Sequence, residues 1–324
     1  MADSAQAAGG KFHHLASTPE TVHWGFWDGK RAPVLEIASG DRVRIDCVTG
    51  IPLVMPPADS GFHTPPEVDD IFARSERGTG NHILTGPVAV DGAMPGDVLE
   101  IHIEEIELRQ DWGFNLFRAY GGTLPEDFPY QRIIHVALNA NTMTGTTPWG
   151  MKVPLRPFFG QLGVAPRPEY GRQNSKEPRE WGGNMDCREL IAGSTVFLPV
   201  QTKGALFSTG DGHAAQGDGE VDGTAIETAL AGTFRLTVRK DLAFPLPRAI
   251  TPTHYITFGL DPDLDQAAKQ ALRAMIEWLG DIAGLKAEDA YAMCSFVCDL
   301  HVTQTVNNIK GVHAMIAKDV LARN

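Results

Sequence analysis

Leu99-Glu100-Ile101-His102-Ile103-Glu104 alternates apolar and polar side chains with a period of two, the pattern of a strand with one buried face. At Glu105-Ile106 the phase slips, which predicts a β-bulge. Arg42-Val43-Arg44-Ile45-Asp46-Cys47 repeats the alternation. Both runs follow a Gly-Asp turn, Gly40-Asp41 and Gly96-Asp97, the second sharpened by Pro95. Working outward, further strands are expected at 133–138, 195–200, 234–238 and around 255–258. Between them, 149–181 is rich in Pro, Arg and Gly and reads as one long functional or oligomer-forming loop. Helices come late. Leu264, Ala268, Ala271, Met275, Leu279 and Ile282 form an amphipathic stripe at spacings of three and four. Asp261 is its expected cap, Pro262 its first residue and Gly284 its stop. A second helix is expected over 287–300, with Tyr291, Cys294 and Cys298 on one face. Strands first and helices last predict a mainly β or α+β fold: β-sandwich or barrel-like strands with C-terminal helices.

Composition narrows the function. With 28 Lys+Arg against 40 Asp+Glu among 324 residues, the formal net charge is −12. Such a chain lacks the basic field that non-specific nucleic-acid or anionic-membrane binding requires. Gly 34 and Pro 22 make up about one residue in six, which calls for many tight turns. No run of about 18 apolar residues exists, so no membrane helix is expected. Residues 1–12 read as a disordered start without the apolar core of a secretory signal. The cysteines Cys47, Cys187, Cys294 and Cys298 show no CxxC spacing and read as free thiols in a reducing compartment, so a cytoplasmic protein is expected.

Chemistry is densest in the stretch from Ser208 to Gly223, which follows the apolar Ala205-Leu206-Phe207 and is expected to leave the end of a strand. It holds the carboxylates Asp211, Asp218, Glu220 and Asp222, the imidazole of His213 and the carboxamide of Gln216, spaced by glycines. Asp211 and His213, two apart on extended chain, point the same way and suit Zn²⁺ or another borderline divalent metal. The bland alternative is an acidic surface turn. An EF-hand is excluded, because Glu220 stands at the third ligand position and Ala229 at the twelfth. Trp181-Gly182-Gly183-Asn184-Met185-Asp186 is either a glycine turn with an Asx hydrogen bond or the source of a third ligand, Asp186. His23-Trp24-Gly25-Phe26-Trp27 either lines a substrate pocket or packs as an aromatic turn. Cys187 lacks an activating neighbour for a nucleophile. His102 and His301 read as structural, and His63 and Asp218 are left without a role. No HExxH, GxSxG, GxxxxGK[ST] or strand-borne GxGxxG is present.

Gly210-Asp211-Gly212-His213-Ala214-Ala215-Gln216-Gly217-Asp218-Gly219-Glu220 resembles the signature of the acetamidase/formamidase family. Gly182-Gly183-Asn184-Met185-Asp186 is similar to its second hallmark. His23-Trp24-Gly25, Gly86-Pro87-Val88 and Gly92-Ala93-Met94-Pro95-Gly96-Asp97 are similar to its N-terminal half, and 299–304 with Gly311-Val312-His313 to its C-terminal end. The resemblance implies hydrolysis of short aliphatic amides to carboxylate and ammonia, a mainly β fold with C-terminal helices, homo-oligomers and a divalent metal. The expected organisation is one catalytic domain over 13–324, with any break between two β-rich lobes near 140–180. From the chemistry, Asp186, Asp211 and His213 are the expected metal ligands and Glu220 the general base and then acid. Asn184 or Gln216 would hydrogen-bond the amide, and His23 with Trp24 would close a small pocket. Zn²⁺ is the expected ion, with Ca²⁺ admitted as a second, structural one. A lactam hydrolase with the same machinery, or a non-enzymatic protein with a structural metal, are the rival readings.

Overall fold

A computed structural model of the chain describes residues 10–322. The alternating runs become adjacent rungs of a nine-stranded sheet, in which Val98–Leu108 pairs antiparallel with Leu230–Arg239, and that strand pairs with Arg42–Asp46. Thr195–Pro199, Arg248–Ile250, His254–Asp261, Lys310–Ala317 and Cys298–Gln304 continue the sheet to its far edge. The expected bulge is present at Glu104, between the pairs Thr233↔Glu105 and Phe234↔Ile103. A second, eleven-stranded sheet is centred on Phe207–Ala215. Val43, Ile45, Ile101 and Phe234 of the first sheet and Val88, Phe159, Leu162 and Phe207 of the second share one buried core. Burying each such side chain contributes about 1.5–3 kcal/mol.

The architecture is therefore mainly β with C-terminal helices, and several local expectations need correcting. The stretch 149–181 is not one loop: it contains the strand Phe158–Gly163, buried at every position. Flanking prolines and the interior Gln161 disguise a short, largely apolar run, close to the form a fully covered strand takes. The segment after Phe207 does not leave a strand but continues as one through Ala215. The long helix runs Leu264–Ala283, capped by Asp263, whose side chain accepts from the Gln266 N–H at 3.0 Å. Asp261 instead accepts from the Asp263 N–H at 3.0 Å, so the helix begins two residues later than expected and Pro262 lies outside it. The helix lies so close to its sheet that a Cβ at Gly259 would overlap the Ala267 carbonyl. The second helix stops at Val297, because Cys298–Gln304 pairs with Lys310–Ala317 instead. Within it Cys294 is buried while Tyr291 is 60% exposed, so the two do not share a face. The expected disordered start falls largely outside the described residues, and Phe12 already opens a strand. No described helix is long and apolar enough to cross a membrane.

Candidate active site

The site forms where the central strand changes partners. Phe207–Ala215 pairs with Ile83–Val90 up to Gly210↔Leu84, and with Ile226–Thr228 from Gly212↔Thr228 onward. Asp211 stands at this fork with φ +57°, a left-handed conformation that breaks the pleat. On the other side lies Phe158–Gly163, with Phe159↔Gly212 and Gln161↔Gly210. Gly160 falls between those pairs. A Cβ there would lie 2.6 Å from Asp211 Oδ2, 2.8 Å from Asp186 Oδ1 and 2.8 Å from His213 Cε1. Three functional side chains thus converge over the one position that has none.

Asp186 arrives from the neighbouring strand Gly182–Asn184, and the Gly160 carbonyl accepts from both the Met185 and Asp186 N–H groups at 3.0 and 3.2 Å. Its carboxylate receives Asn184 Nδ2 at 2.8 Å, and Asn184 in turn accepts from Gln161. Glu227 is the cross-strand partner of His213, a placement set by register alone. Glu220 comes from the following loop, also left-handed at φ +45°, and Asp186 has φ +47°. The loop is pinned where the Gly219 N–H donates to Thr303 O at 3.1 Å and the Thr305 N–H to Gly219 O at 3.0 Å.

The result is a cluster of four carboxylates, Asp186, Asp211, Glu220 and Glu227, around His213, all buried. Gln216 Nε2 donates to the Asp186 carbonyl at 2.7 Å, which leaves Oε1 as the acceptor of His213 Nδ1–H at 2.9 Å. The neutral imidazole then carries its lone pair on Nε2. Nε2 lies 3.4 Å from Asp211 Oδ2 and 3.3 Å from Glu227 Oε2, and it is buried without a hydrogen-bond partner, as is Asp186 Oδ1. Donor atoms of Asp186, His213 and Glu220 lie within 4.8 Å of one another, and so do those of Asp211, His213 and Glu227.

Electrostatics follow from this crowding. Burial raises Asp186 and Glu220 well above the ordinary carboxylate range, with carboxylate neighbours adding to it. Glu227 is raised by burial and by Asp211, partly offset by His213. Burial would also raise Asp211, but His82 and His213 outweigh it and its pKa is lowered. Burial disfavours the His213 imidazolium, yet Glu227 and Asp211 prevail and hold its pKa well above 6.5. Among the described residues none of the four carboxylates pairs with an Arg or Lys. An uncompensated buried charge costs several kcal/mol, so the donor set fits a divalent cation.

Asp186, Asp211, Glu220 and Glu227 line a cavity of about 260 Å³. Asn184 is also in its wall, and Ile51, Val54, Phe114 and Leu116 supply apolar surface. Arg118 and Lys176 are its basic lining residues. Gln216 borders a neighbouring groove instead. His23 and Trp24 lie outside the cavity lining. His23 Nδ1 donates to Phe26 O at 2.7 Å and its Nε2 faces Ser208 Oγ at 3.0 Å. Trp24 packs against Phe72, with the Arg77 guanidinium 3.7 Å from its ring centre.

Residues 14–177 and 172–320 match the model of the Acetamidase/Formamidase family. The chain belongs to the acetamidase/formamidase family. A putative formamidase of Schizosaccharomyces pombe is 28% identical over 256 residues, 58% of this chain and 62% of that relative. The chain thus spans less than two thirds of that relative's length. The formamidase of Methylophilus methylotrophus is 28% identical over 307 residues, 75% of this chain and 73% of the relative. The crystal structure of an acetamidase from Bacillus halodurans superimposes with a TM-score of 0.80 at 30% identity, covering 95% of this chain and 98% of that one.

For this member of the family, reading the sequence missed Gly160, Gln161, His82, Glu227 and Asn307. His82 Nε2 lies 3.9 Å from Asp211 Oδ2, and Asn307 Nδ2 reaches Asp186 Oδ2 at 3.4 Å. One signal was present: Glu227 is a lone carboxylate inside the short run Ile226-Glu227-Thr228, and a buried carboxylate in a strand needs a reason.

Proposed function

We propose that this chain hydrolyses the C–N bond of short aliphatic amides, giving a carboxylate and ammonia, at a divalent-cation centre held by Asp186, Asp211 and His213 and completed by Glu227. The observation that carries the reading is the pair of buried atoms without a hydrogen-bond partner, Asp186 Oδ1 and His213 Nε2, on side chains that converge over Gly160. When bound, the ion supplies Lewis acidity toward the amide carbonyl and lowers the pKa of water toward about 7. Glu220 takes the proton of the attacking water and returns it to the departing nitrogen, so that amide and water become carboxylic acid and ammonia, and the acid then gives its own proton to ammonia to leave carboxylate and ammonium. The raised pKa of Glu220 suits a group that must hold that proton between the two steps. Asn184 and Gln216 have their amides committed to Asp186 and His213, so they orient those two groups. The apolar wall around Ile51, Val54, Phe114 and Leu116 takes the acyl chain. Cytoplasmic residence and self-association belong to the same proposal. Phe296, exposed beside the edge strand Cys298–Gln304, and Leu300, exposed within it, support the latter, and sedimentation reads it.

The test is ammonia release from formamide, acetamide and longer amides, before and after chelation. Stripping the ion should lower the rate at least about 10²-fold, and Zn²⁺ should restore it. Full activity in protein shown by elemental analysis to be metal-free would overturn the metal reading.

A further inference from the structure

A second group of ligating side chains lies outside the cluster just described. The hairpin of Cys298–Gln304 with Lys310–Ala317 places His301 directly opposite His313. Their rings stack 5.0 Å apart and 8° from parallel. Asp218 reaches them from the loop after the central strand, with Oδ2 2.9 Å from His301 Nδ1. One donor atom from each of the three lies within 4.8 Å of the other two. His313 is fully buried; Nδ1 is held by Thr303 Oγ1 at 2.7 Å, and Nε2 has no partner. Arg188 Nε sits 3.3 Å from Asp218 Oδ1, the oxygen turned away from His301, and fixes the carboxylate.

We propose that Asp218, His301 and His313 form a second cation site, separate from the carboxylate cluster, for a borderline divalent ion of the Zn²⁺ kind. Two imidazoles and one carboxylate select such an ion over Ca²⁺ or Mg²⁺, which take oxygen ligands. His301 and Asp218 keep 32% and 29% of their side-chain surface exposed, so the ion has a route in and water can complete its shell. The site acts on the loop that carries it. Asp218 lies between Gln216, which holds His213, and Glu220. An ion there ties this loop to the C-terminal hairpin and fixes Glu220 from behind. The proposal does not depend on amide hydrolysis.

Full-length protein, stripped by chelation, is dialysed against Zn²⁺ and counted by elemental analysis, with Co²⁺ absorption as a second readout. The wild type should hold about two equivalents per chain. Asp218→Asn and His301→Ala should each hold about one, with loss of one Co²⁺ band. Asp186→Asn, which disturbs the other cluster, should lose the other band and keep this one. If His301→Ala does not fold, the near-isosteric Asp218→Asn reads the same site. Two results overturn the proposal: Asp218→Asn retaining the wild-type stoichiometry, or a wild type whose only ion is the one lost in Asp186→Asn.

Discussion

Two sets of carboxylates in this molecule are built in opposite ways. On the nine-stranded sheet, Glu104 receives Arg42 at 2.6 Å and Arg235 at 2.7 Å, Glu100 meets Arg239 at 2.5 Å, and Glu107 pairs with Arg44. Around the eleven-stranded sheet, Asp186, Asp211, Glu220 and Glu227 are buried with His213 among them and His82 beside Asp211, and among the described residues they have no guanidinium or ammonium partner. The first set satisfies its charge within the chain. The second leaves charge unsatisfied, at a cost the fold would avoid unless something else binds there. Location alone does not separate them, since Glu104 is itself largely covered; the presence or absence of a fixed cation does.

Substitution should therefore have opposite consequences in the two sets. The largest effect is expected at Glu220. Glu220→Gln should lower kcat by about 10²–10⁴ while raising the thermal midpoint of the metal-free protein at neutral pH, because burial holds this carboxyl protonated where the unfolded chain ionises it, a cost an amide does not carry. A lowered midpoint with unchanged kcat would place Glu220 with the structural carboxylates. Protein that purifies without metal would make it a ligand.

His23 gives a sharper, intermediate case, a buried polar group that is fully partnered and uncharged. Burial pulls it from 6.5 down to about 3. The folded protein thus binds this proton less readily than the unfolded chain, so its contribution is complete above pH 6.5 and lost as pH falls toward 3. Between pH 6.5 and pH 5 the loss is about 2 kcal/mol. Urea unfolding of the wild type and His23→Gln at both pH values should show a smaller pH dependence in the variant by that amount. Equal dependence would mean the imidazole is not held neutral. The smallest effect belongs to the paired set: Glu104→Gln should cost about 1 kcal/mol of stability with kcat unchanged, read by the same unfolding curves and the amidase assay.

What the sequence revealed and what it concealed divide along a physical line. Alternation exposed the two long rungs and even the bulge, because a strand with one buried face writes its geometry into composition. Asp186, Asp211, His213 and Glu220 stood out because glycines isolate them. Glu227 and Gly160 did not, since each matters only through the residue across from it: His213 for Glu227, Asp211 for Gly160. Pairing register is a non-local property that no window along the chain contains. The aromatic run His23-Trp24 drew attention for its chemistry, yet its side chains are engaged by Phe26, Ser208, Phe72 and Arg77. Prolines around 158–163 concealed the strand that carries Gly160 and Gln161.

The left-handed backbone at Asp186, Asp211 and Glu220 has a consequence for anyone redesigning this protein. At each of these positions glycine would suit the main chain better than the native residue, by roughly 1 kcal/mol or more. It would also remove a buried carboxylate. An optimiser that scores only folding free energy would therefore favour erasing all three and return a sturdier, inert scaffold. The same reasoning runs the other way: side chains that persist where conformation and solvation both argue for glycine mark the places where a designer should fix the sequence first.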